Sequence, residues 1–378
     1  MGRRREINMI EQPRSIPPGP DHNSCMSPLF SIIIVNFNGG HFLQGAVDSL
    51  KSQTFDDFEL IIIDNASSDD SADTVDLRGL KRAQLVRNEL NEGFAKANNQ
   101  AAMLATGRWL ALLNPDASAA PDWLAQLRGA SRNNPECRVF SSAQYSMDDT
   151  SVLDGAGDAY LIFGIPWRGG FGHPVSELPE TGLCFSPCGA AAIYDRTLFL
   201  EIGGFDERFF CYCEDVDIGF RLQLEGEPCI FVKEATVYHA GSAISGRHSA
   251  FSSYHGTRNR IWTYFKDMPL ALLLLTLPAH ILISVYLIFR SAMFGCFVST
   301  LRGTWHGFRY ALKIRSDNQW RPRTRKVSLW SLARSMTWNP LRMNRRQPDV
   351  RPLARRTPQG AKAHTKSVPV QTSERPRI

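Results

Sequence analysis

The sequence predicts an α/β protein with a mostly parallel sheet and helices on both faces. Two patterns predict this fold. Short apolar, β-branched runs alternate with helical patterns through residues 29–133, as in chains that build parallel sheets. Polar clusters follow several of these runs, at the positions where strands of such a sheet end. With 43% apolar and 21% charged residues, the 378-residue chain has the composition of a globular protein with a large core.

The elements of the first part follow from local patterns. Residues 29–35 form a short run rich in isoleucine, as expected of a strand buried on both faces. Residues 42–50 repeat apolar side chains on one helical face, and residues 58–63 form a second strand of the first type. The remaining predicted elements here are a strand at 84–86, a helix at 93–106, a strand at 108–113 and a helix at 121–133.

The second part of the chain has weaker patterns. Residues 137–186 predict short strands and glycine-rich loops, and regular structure resumes at 187–194. Three carboxylates within residues 214–217 open a predicted helix that runs to about residue 224. The other predicted elements are a helix at 196–202, strands at 229–232 and 236–238, and a helix at 253–266.

Carboxylates occupy the predicted strand ends and one helix start. Asp64 fits a hydrogen-bond acceptor for a base or ribose, and Asp116 fits a ligand for a hard divalent cation. Both also fit turn or capping roles. Asp215, beside Glu214, fits a general base and equally a residue that stabilises the helix dipole. The chain has no Gly-x-Gly-x-x-Gly after its first strand and no Gly-Lys-Ser/Thr loop, which argues against dinucleotide oxidoreductases and P-loop enzymes.

Seven short motifs occur in order along residues 29–266. They are Ile34-Val35-Asn36-Phe37-Asn38, Ile63-Asp64-Asn65-Ala66-Ser67, Asn91-Glu92-Gly93-Phe94-Ala95 with Asn98, Leu113-Asn114-Pro115-Asp116, Gly203-Gly204-Phe205-Asp206-Glu207, Glu214-Asp215-Val216-Asp217 and His239. Each motif alone is common, but their joint order is specific. Together they resemble the family 2 glycosyltransferases with the GT-A fold, most closely the rhamnosyltransferase-like branch.

The resemblance implies a site for a nucleotide-sugar donor. Asp116 stands where many relatives have the second aspartate of an Asp-x-Asp metal motif, and Asn114 replaces the first. The implied cofactor is a divalent metal, magnesium or manganese, held by Asp116 and His239. The residues implied to bind the donor are Val35, Asn36 and Asp64 at the nucleoside, Asn91, Gly93 and Asn98 around the pocket, and Asp116 and Arg258 at the phosphates.

The resemblance also implies a mechanism. Asp215 matches the general base that deprotonates the acceptor hydroxyl, so that one displacement inverts the anomeric carbon. Gly189 and Glu214 fall on the acceptor side. The implied reaction transfers a hexose, rhamnose first, to a glycan or polyprenyl-linked acceptor in polysaccharide synthesis for the cell envelope. The alternative donors are UDP-sugars of the N-acetylhexosamine, galactofuranose or glucose type.

Charge and hydropathy change sharply towards the C-terminus. Residues 269–289 carry no formal charge and are long enough as a helix to span a bilayer, although Pro278 should break its middle. Residues 302–378 hold 19 Lys and Arg against 3 Asp and Glu, a net charge of +16. The preceding 301 residues hold 24 basic and 34 acidic residues, a net charge of −10. An acidic body therefore precedes a basic tail.

We expect four parts in the chain. They are a disordered arm at 1–28, the glycosyltransferase domain at 29–267, an apolar membrane-associated segment at 268–301 and a basic tail at 302–378, disordered after about Pro340. A single span would place the tail opposite a cytosolic catalytic body, against the positive-inside tendency. Peripheral or re-entrant attachment to the acidic cytoplasmic face of the cell membrane is therefore favoured, with a span or a buried helix as alternatives.

The sequence argues against two other classes of function. A nucleic-acid-binding protein would use the basic tail, but the distal tail has few interleaved aromatic residues and no nucleic-acid motif, so we expect no nucleic-acid partner. A catalytically inactive scaffold would not need Asp116, Asp215 and His239 together. The eight scattered cysteines lack zinc-ribbon spacing, and no secretory signal precedes them, which favours a reducing compartment.

Overall fold

The computed structural model describes residues 27–241, 249–318 and 326–353. The predicted N-terminal arm, apart from its last two residues, and the tail beyond residue 353 lie outside the described residues. The strands are β1 (Phe30–Asn36), β2 (Phe58–Asp64), β3 (Ala83–Arg87), β4 (Trp109–Leu112), β5 (Ala117–Ala119), β6 (Val139–Ser146), β7 (Leu153–Ala156), β8 (Asp158–Leu161), β9 (Ile165–Arg168), β10 (Gly182–Cys184), β11 (Ala192–Asp195), β12 (Cys229–His239) and β13 (Arg351–Pro352).

Helices cover both faces of the sheet and continue into a C-terminal layer. They are α1 (Gly40–Lys51), α2 (Ser71–Thr74), α3 (Gly93–Leu104), α4 (Trp123–Asn133), α5 (Arg196–Glu201), α6 (Glu214–Glu225), α7 (Ala250–Asp267), α8 (Leu270–Ser291), α9 (Phe297–Arg309), α10 (Ala311–Ser316), α11 (Leu329–Ser335) and α12 (Pro340–Asn344).

The central sheet is mixed, and the expectation of a mostly parallel sheet is wrong. Its order is β13-β10-β12-β6-β11-β4-β1-β2-β3, with β5 and β7 paired to β12 and β6. Four neighbouring pairs are parallel, namely β1–β2, β2–β3, β1–β4 and β6–β12. In the second part, short loops instead of crossover helices precede β7, β10 and β11, and these strands pair antiparallel.

Two apolar layers explain why the first strands lack polar alternation. Ile32 and Ile34 of β1 pack into the layer beneath α1 and α4. Ile33 and Val35 pack into the opposite layer, which contains residues of α3, α5 and α6. Both sets of side chains are buried, so successive residues of β1 face two different cores. The sheet edge where β1, β2 and β4 end is thereby held rigidly between helices.

The C-terminal segment differs from its expected organisation in two ways. Helix α8 continues through Pro278, where a break was expected, because the turn after the proline packs against the body through His280. Helix α9 crosses the expected boundary between the apolar segment and the basic tail. Disorder from about Pro340 is also wrong for the first residues concerned, since α12 follows and β13 pairs with β10.

Candidate active site

A cavity of 690 Å³ opens at the carboxyl ends of β1 and β4. The strand ends supply the first wall, which contains Asp116 and His239. The start of α6 supplies the second wall, which contains Glu214 and Asp215, and the start of α7 closes the rim. Of the residues proposed from sequence, the cavity is lined by Val35, Asn91, Gly93, Asp116, Gly189, Glu214, Asp215 and His239. Asn36, Asp64, Asn98 and Arg258 lie outside this lining.

Asn36 and Asp64 form a buried pair behind the first wall. Strands β1 and β2 pair in parallel with these two residues in register. Asn36 Nδ2 donates to Asp64 Oδ1 at 2.8 Å and to Ser71 Oγ at 3.0 Å, and Ser67 Oγ donates to the same carboxylate oxygen at 2.6 Å. Asn36 therefore orients Asp64 through its side chain and does not itself face the cavity.

Asn65, which sequence reasoning did not select, organises the next part of the wall. Its Nδ2 donates to Asn91 Oδ1 at 2.9 Å, and its Oδ1 accepts from the Glu92 backbone N–H at 3.0 Å. Gly93 has φ +83°, and a Cβ there would lie 2.5 Å from the Phe210 ring. Only a glycine therefore fits at position 93, where α3 begins. Asn98, which was expected to shape the donor pocket, donates to the Phe94 carbonyl at 2.8 Å within its own helix.

A chain of charged groups connects Asp116 to the hairpin β8–β9. His239 Nε2 lies 3.2 Å from Asp116 Oδ1, and His239 Nδ1 lies 2.7 Å from Asp154 Oδ2. Arg168 pairs with the same Asp154 oxygen. Burial opposes ionisation of Asp154, but Arg168 and His239 outweigh it and hold the pKa of this carboxyl below its usual range. Asp154 therefore fixes the imidazole so that Nε2 points towards Asp116.

The Asp215 carboxylate is held at the first turn of α6. Its Oδ2 accepts from the Gly189 backbone N–H at 2.8 Å, and its Oδ1 accepts from the Val216 N–H at 2.8 Å. A Cβ at Gly189 would lie 3.3 Å from Oδ2, so the loop approaches the carboxylate closely. Burial raises the pKa of Asp215 despite these hydrogen bonds. The neighbouring Glu214 is buried, with one carboxyl oxygen unpaired among the described residues.

Asp158 is a second carboxyl beside Asp215 that sequence reasoning missed. It is buried, lines the cavity, and lies with Cys188 in a group whose carboxyl and sulfur atoms are within 4.8 Å of those of Asp215. Burial and the charge of Asp215 raise the pKa of Asp158 well above its usual range. Its sequence neighbours form no recognisable motif, so only the folded hairpin reveals it.

The loop that leads into α6 is conformationally strained. Phe210, Tyr212 and Cys213 all have positive φ, a region that side-chain-bearing residues rarely adopt. Asn259 of α7 stabilises this loop, because its Nδ2 contacts the carbonyl oxygens of Phe209, Cys211 and Tyr212 at 2.7–2.9 Å. Sequence reasoning missed Asn259, although it follows Arg258 directly.

Arg258 also contacts this loop. Its Nη2 donates to the Phe209 carbonyl at 3.0 Å, and its guanidinium lies 4.3 Å from the centre of the Trp262 ring. These contacts give Arg258 a structural role outside the cavity lining, and its phosphate-binding role stays a prediction.

Comparison with protein families identifies the class. Residues 31–203 match the family described as Glycosyl transferase family 2. The matched region contains β1 to β11 and the strand ends that form the cavity. This match points to the glycosyltransferases as the class of protein. Residues 31–203 therefore carry a family 2 glycosyltransferase domain, and the chain resembles a rhamnosyltransferase, as the sequence motifs predict.

Two curated relatives come from mycobacteria. The chain is 27% identical over 253 residues to the N-acetylglucosaminyl-diphospho-decaprenol L-rhamnosyltransferase of Mycobacterium tuberculosis (strain H37Rv), covering 60% of this chain and 80% of that protein. It is 35% identical over 187 residues to a PGL/p-HBAD biosynthesis glycosyltransferase of Mycobacterium bovis (strain BCG / Pasteur 1173P2). The second match covers 48% of this chain and 65% of that protein.

A solved structure supports the fold. The crystal structure of GalNAc-T7 with UDP, GalNAc and Mn²⁺ matches with a TM-score of 0.50 and 20% sequence identity. The match covers 63% of this chain and 49% of GalNAc-T7, so the chain spans about half of that protein. At this identity the likeness concerns the fold alone, which is GT-A-like.

Proposed function

We propose that this chain transfers rhamnose from a nucleoside-diphosphate donor to a hydroxyl of a lipid-linked acceptor, with inversion at the anomeric carbon. The relative from M. tuberculosis, whose name specifies a rhamnosyltransferase and a diphospho-decaprenol acceptor, supports this choice of sugar and acceptor. The surface-glycan role and the cytoplasmic face of the membrane belong to the same proposal. A UDP-sugar donor is the alternative.

The observation that carries the proposal is the geometry of Asp215. Each of its oxygens accepts one backbone N–H, from Gly189 and from Val216, so the carboxylate cannot rotate freely. It lines the same cavity as Asp116 and His239. A fixed carboxylate with a raised pKa suits a general base, because its proton affinity is closer to that of the group it must deprotonate. Asp215 therefore takes the proton of the attacking hydroxyl.

The opposite wall fits a divalent cation. Asp116 and His239 offer a carboxylate oxygen and an imidazole nitrogen, both buried and both open to the cavity. Asp154 accepts from Nδ1 and thereby leaves Nε2 as the ligand atom, the usual arrangement of a metal-binding histidine. When bound, magnesium or manganese would neutralise charge on the leaving diphosphate. Asp116 and His239 are the residues that would hold it.

The remaining wall residues suit the nucleoside and the sugar. Val35 supplies apolar surface at the end of β1, and Asp64 behind it is oriented by Asn36. Gly93 allows the α3 start to approach Phe210 closely, which narrows the cavity between the donor wall and the base. Asn91, held by Asn65, presents an amide at the same place. These groups would position the donor, while Glu214 and Gly189 face the acceptor side.

A panel of nucleotide sugars tests this proposal. Full-length protein would be incubated with manganese, a polyprenyl-diphosphate-linked N-acetylglucosamine and each donor in turn, and the product's anomeric configuration would be read by NMR. The expected result is transfer from deoxythymidine-diphosphate rhamnose with inversion. Transfer from a UDP-sugar only would establish the alternative donor. A retained configuration would contradict Asp215 as the base of a single displacement.

A further inference from the structure

Helices α8 and α9 present a large unpaired apolar surface. One stretch, Leu270–Phe294, is long and apolar enough to cross a membrane, and only 28% of its most apolar window is buried. We name the exposed side the apolar flank. Its large exposed side chains on α8, on α9 and between them are Leu270, Leu274, Leu275, Ile281, Leu282, Val285, Tyr286, Phe289, Met293, Phe294, Val298, Leu301 and Trp305. Tyr310 and Leu312 extend the flank onto the start of α10. Contiguous apolar patches of this kind mark protein or membrane contacts.

The other side of α8 is docked on the catalytic body along much of its length. His280 stacks on Tyr264 of α7, with ring centres 3.9 Å apart, and its Nδ1 lies 2.8 Å from the Phe163 carbonyl oxygen. Arg260 Nη2 donates to Ser284 Oγ at 3.1 Å, and the Tyr264 hydroxyl donates to the Leu273 carbonyl at 3.0 Å. These contacts extend over roughly 17 Å of helix.

This docking is incompatible with a helix that crosses a bilayer alone. A spanning α8 would carry the β8–β9 hairpin and α7 into the hydrocarbon, together with charged residues such as Arg260 and Asp267, which α7 buries in the body. Charged and irregular segments do not enter the lipid-exposed hydrocarbon without large cost. The helix can instead expose one flank to lipid while its other flank stays on the protein.

The charge pattern beside the apolar flank matches an anionic lipid surface. Residues 270–316 contain five Lys and Arg and no Asp or Glu. Arg290, Arg302, Arg309 and Lys313 are exposed among them. Amphipathic helices with apolar, aromatic and basic side chains lie in the membrane interface, and each basic group near anionic headgroups strengthens binding. A soluble protein partner would not require this absence of acidic residues.

We propose that α8 and α9 form an in-plane membrane-binding surface, with α8 parallel to an anionic phospholipid bilayer. This inference specifies how the proposed membrane attachment is made, and it does not depend on the proposed sugar transfer. Of the attachments raised by the sequence, a span and a re-entrant insertion both require α8 to leave the body, whereas peripheral attachment does not. The docked side of α8 and its exposed flank instead define a single orientation of the protein on the bilayer.

The surface lies one helix away from the active-site cavity. Gly303 and Gly307 of α9 pack directly on α7, where added Cβ atoms would come within 2.6 Å of the Tyr254 carbonyl and 2.8 Å of Ile261. Helix α7 begins beside Ser249 and Phe251, which line the cavity. A bilayer contacting the apolar flank would therefore lie close to the rim where an acceptor enters.

Vesicle binding tests the proposed surface. The triple variant Leu274→Glu/Leu282→Glu/Phe289→Glu changes only exposed positions of the flank. Its matched control, Leu90→Glu/Met103→Glu/Leu104→Glu, places the same charges on exposed apolar residues of the body. We expect the first variant to weaken binding to phosphatidylcholine–phosphatidylglycerol vesicles at least about tenfold and the control to stay within about twofold. Equal binding of both variants would overturn the proposal.

Depth measurements separate an in-plane helix from a span. Environment-sensitive labels would be placed at Leu274→Cys, Leu282→Cys and Phe289→Cys in the full chain, with the labelled parent chain giving the background from native cysteines. Quenching by lipids labelled at different depths should place all three within about 5 Å of each other, near the interface. Placement of the middle label about 15 Å deep, with the outer two shallow, would show a span.

A second copy of the chain bound at the apolar flank would give a different outcome. If the apolar flank joined two copies of the chain, the flank variant would change the sedimentation of the protein in the absence of lipid, and the parent would not bind vesicles. Donor hydrolysis in solution should be the same for the parent and both triple variants. Vesicle binding without any transferase activity would sustain this surface while contradicting the proposed function.

Discussion

The two walls of the cavity contain the same kind of residue in opposite electrostatic surroundings. On the first wall, Asp116 contacts His239, and Asp154 contacts both His239 and Arg168. On the second wall, Asp215, Asp158 and Glu214 have no ion pair among the described residues, and burial raises their pKa values. The first wall is suited to holding a cation and an anionic leaving group. The second is suited to accepting a proton.

The surroundings of a carboxylate, more than its residue type, therefore determine whether it binds a cation or accepts a proton. A carboxylate beside cations stays ionised and binds, whereas a buried carboxylate without a cation partner has a higher affinity for protons. The hairpin β8–β9 and the strand before it contribute to both environments, because Asp154 contacts His239 and Arg168, whereas Asp158 lies beside Asp215. The charge of Arg168 lowers the pKa values of Asp158 and Asp215, but burial raises them by more. Substitutions on the two walls should therefore affect different measurable quantities.

The largest expected effect is the loss of the base. Asp215→Asn keeps the shape of the side chain but removes its ability to take a proton. Turnover should fall about 10²–10⁴-fold, the usual loss for a positioned base. Initial rates of sugar transfer measure this, with the exposed Asp122→Asn as a control that should retain parental turnover. A near-parental rate for Asp215→Asn would mean that another group is the base.

A smaller effect is expected from substitution of Asp154, which acts on the proposed metal site through His239. Asp154→Asn removes the charge that orients His239 while leaving Asp116 and His239 in place. Affinity for manganese should fall about 10–100-fold, as for other residues that hydrogen-bond metal-binding histidines. Calorimetric titration with Mn²⁺ and a nucleoside diphosphate measures the change. Unaltered affinity would show that Asp154 only supports the fold.

The pH dependence of kcat/KM should report the ionisation of Asp215 on the second wall. Only ionised Asp215 can take a proton, so kcat/KM should be constant at high pH and fall as the pH drops through the pKa of Asp215. Burial raises that pKa, so the acid limb should lie above the ordinary aspartate value of about 3.9. Donor affinity recorded over the same range controls for titration of the first wall. An acid limb at or below the ordinary value would contradict the assignment.

The smallest effect should come from the loop that positions Asp215. Asn259→Ala removes contacts to three carbonyl oxygens and should destabilise the protein by about 1–3 kcal/mol. Turnover should also fall several-fold and donor affinity should fall less, because the loop leads directly into Asp215, whereas it touches the donor side only where Phe210 contacts the start of α3. Thermal unfolding and the separation of kcat from donor Kd test this. Equal losses in both kinetic quantities would indicate general unfolding instead of local displacement.

On both walls, the sequence predicts some residues and misses others. Asp64 ends β2 and Asp116 follows β4, and the apolar runs of these strands are local patterns, so the places of both residues at one end of the sheet could be predicted. Asn91 was predicted only through the family resemblance. Asp158 and Arg168 reach the cavity through the hairpin β8–β9, and Asp154 reaches His239 from β7. Asn259 reaches the loop through helix packing. These placements depend on pairing between distant segments, which no local pattern records. The mixed character of the sheet was missed for the same reason, since β11 pairs with β4 and β6.

The helical layer shows a related limit of sequence reasoning. Hydropathy correctly identifies residues 269–289 as unusually apolar, but it does not indicate which side of the helix packs on the protein. His280 and Ser284 look like polar interruptions in the sequence, and in the structure they are buried contacts with the body. Pro278 similarly suggests a break that tertiary packing overrides.

The affinity for a nucleoside diphosphate separates the roles of the two walls. Calorimetry would compare the affinity of a nucleoside diphosphate, with manganese present, for the parent chain, Asp116→Asn and Asp215→Asn. Asp116→Asn should weaken binding at least about tenfold, because a cation ligand is lost, while Asp215→Asn should bind as the parent does. Equal losses in both variants, or a loss in Asp215→Asn alone, would contradict it.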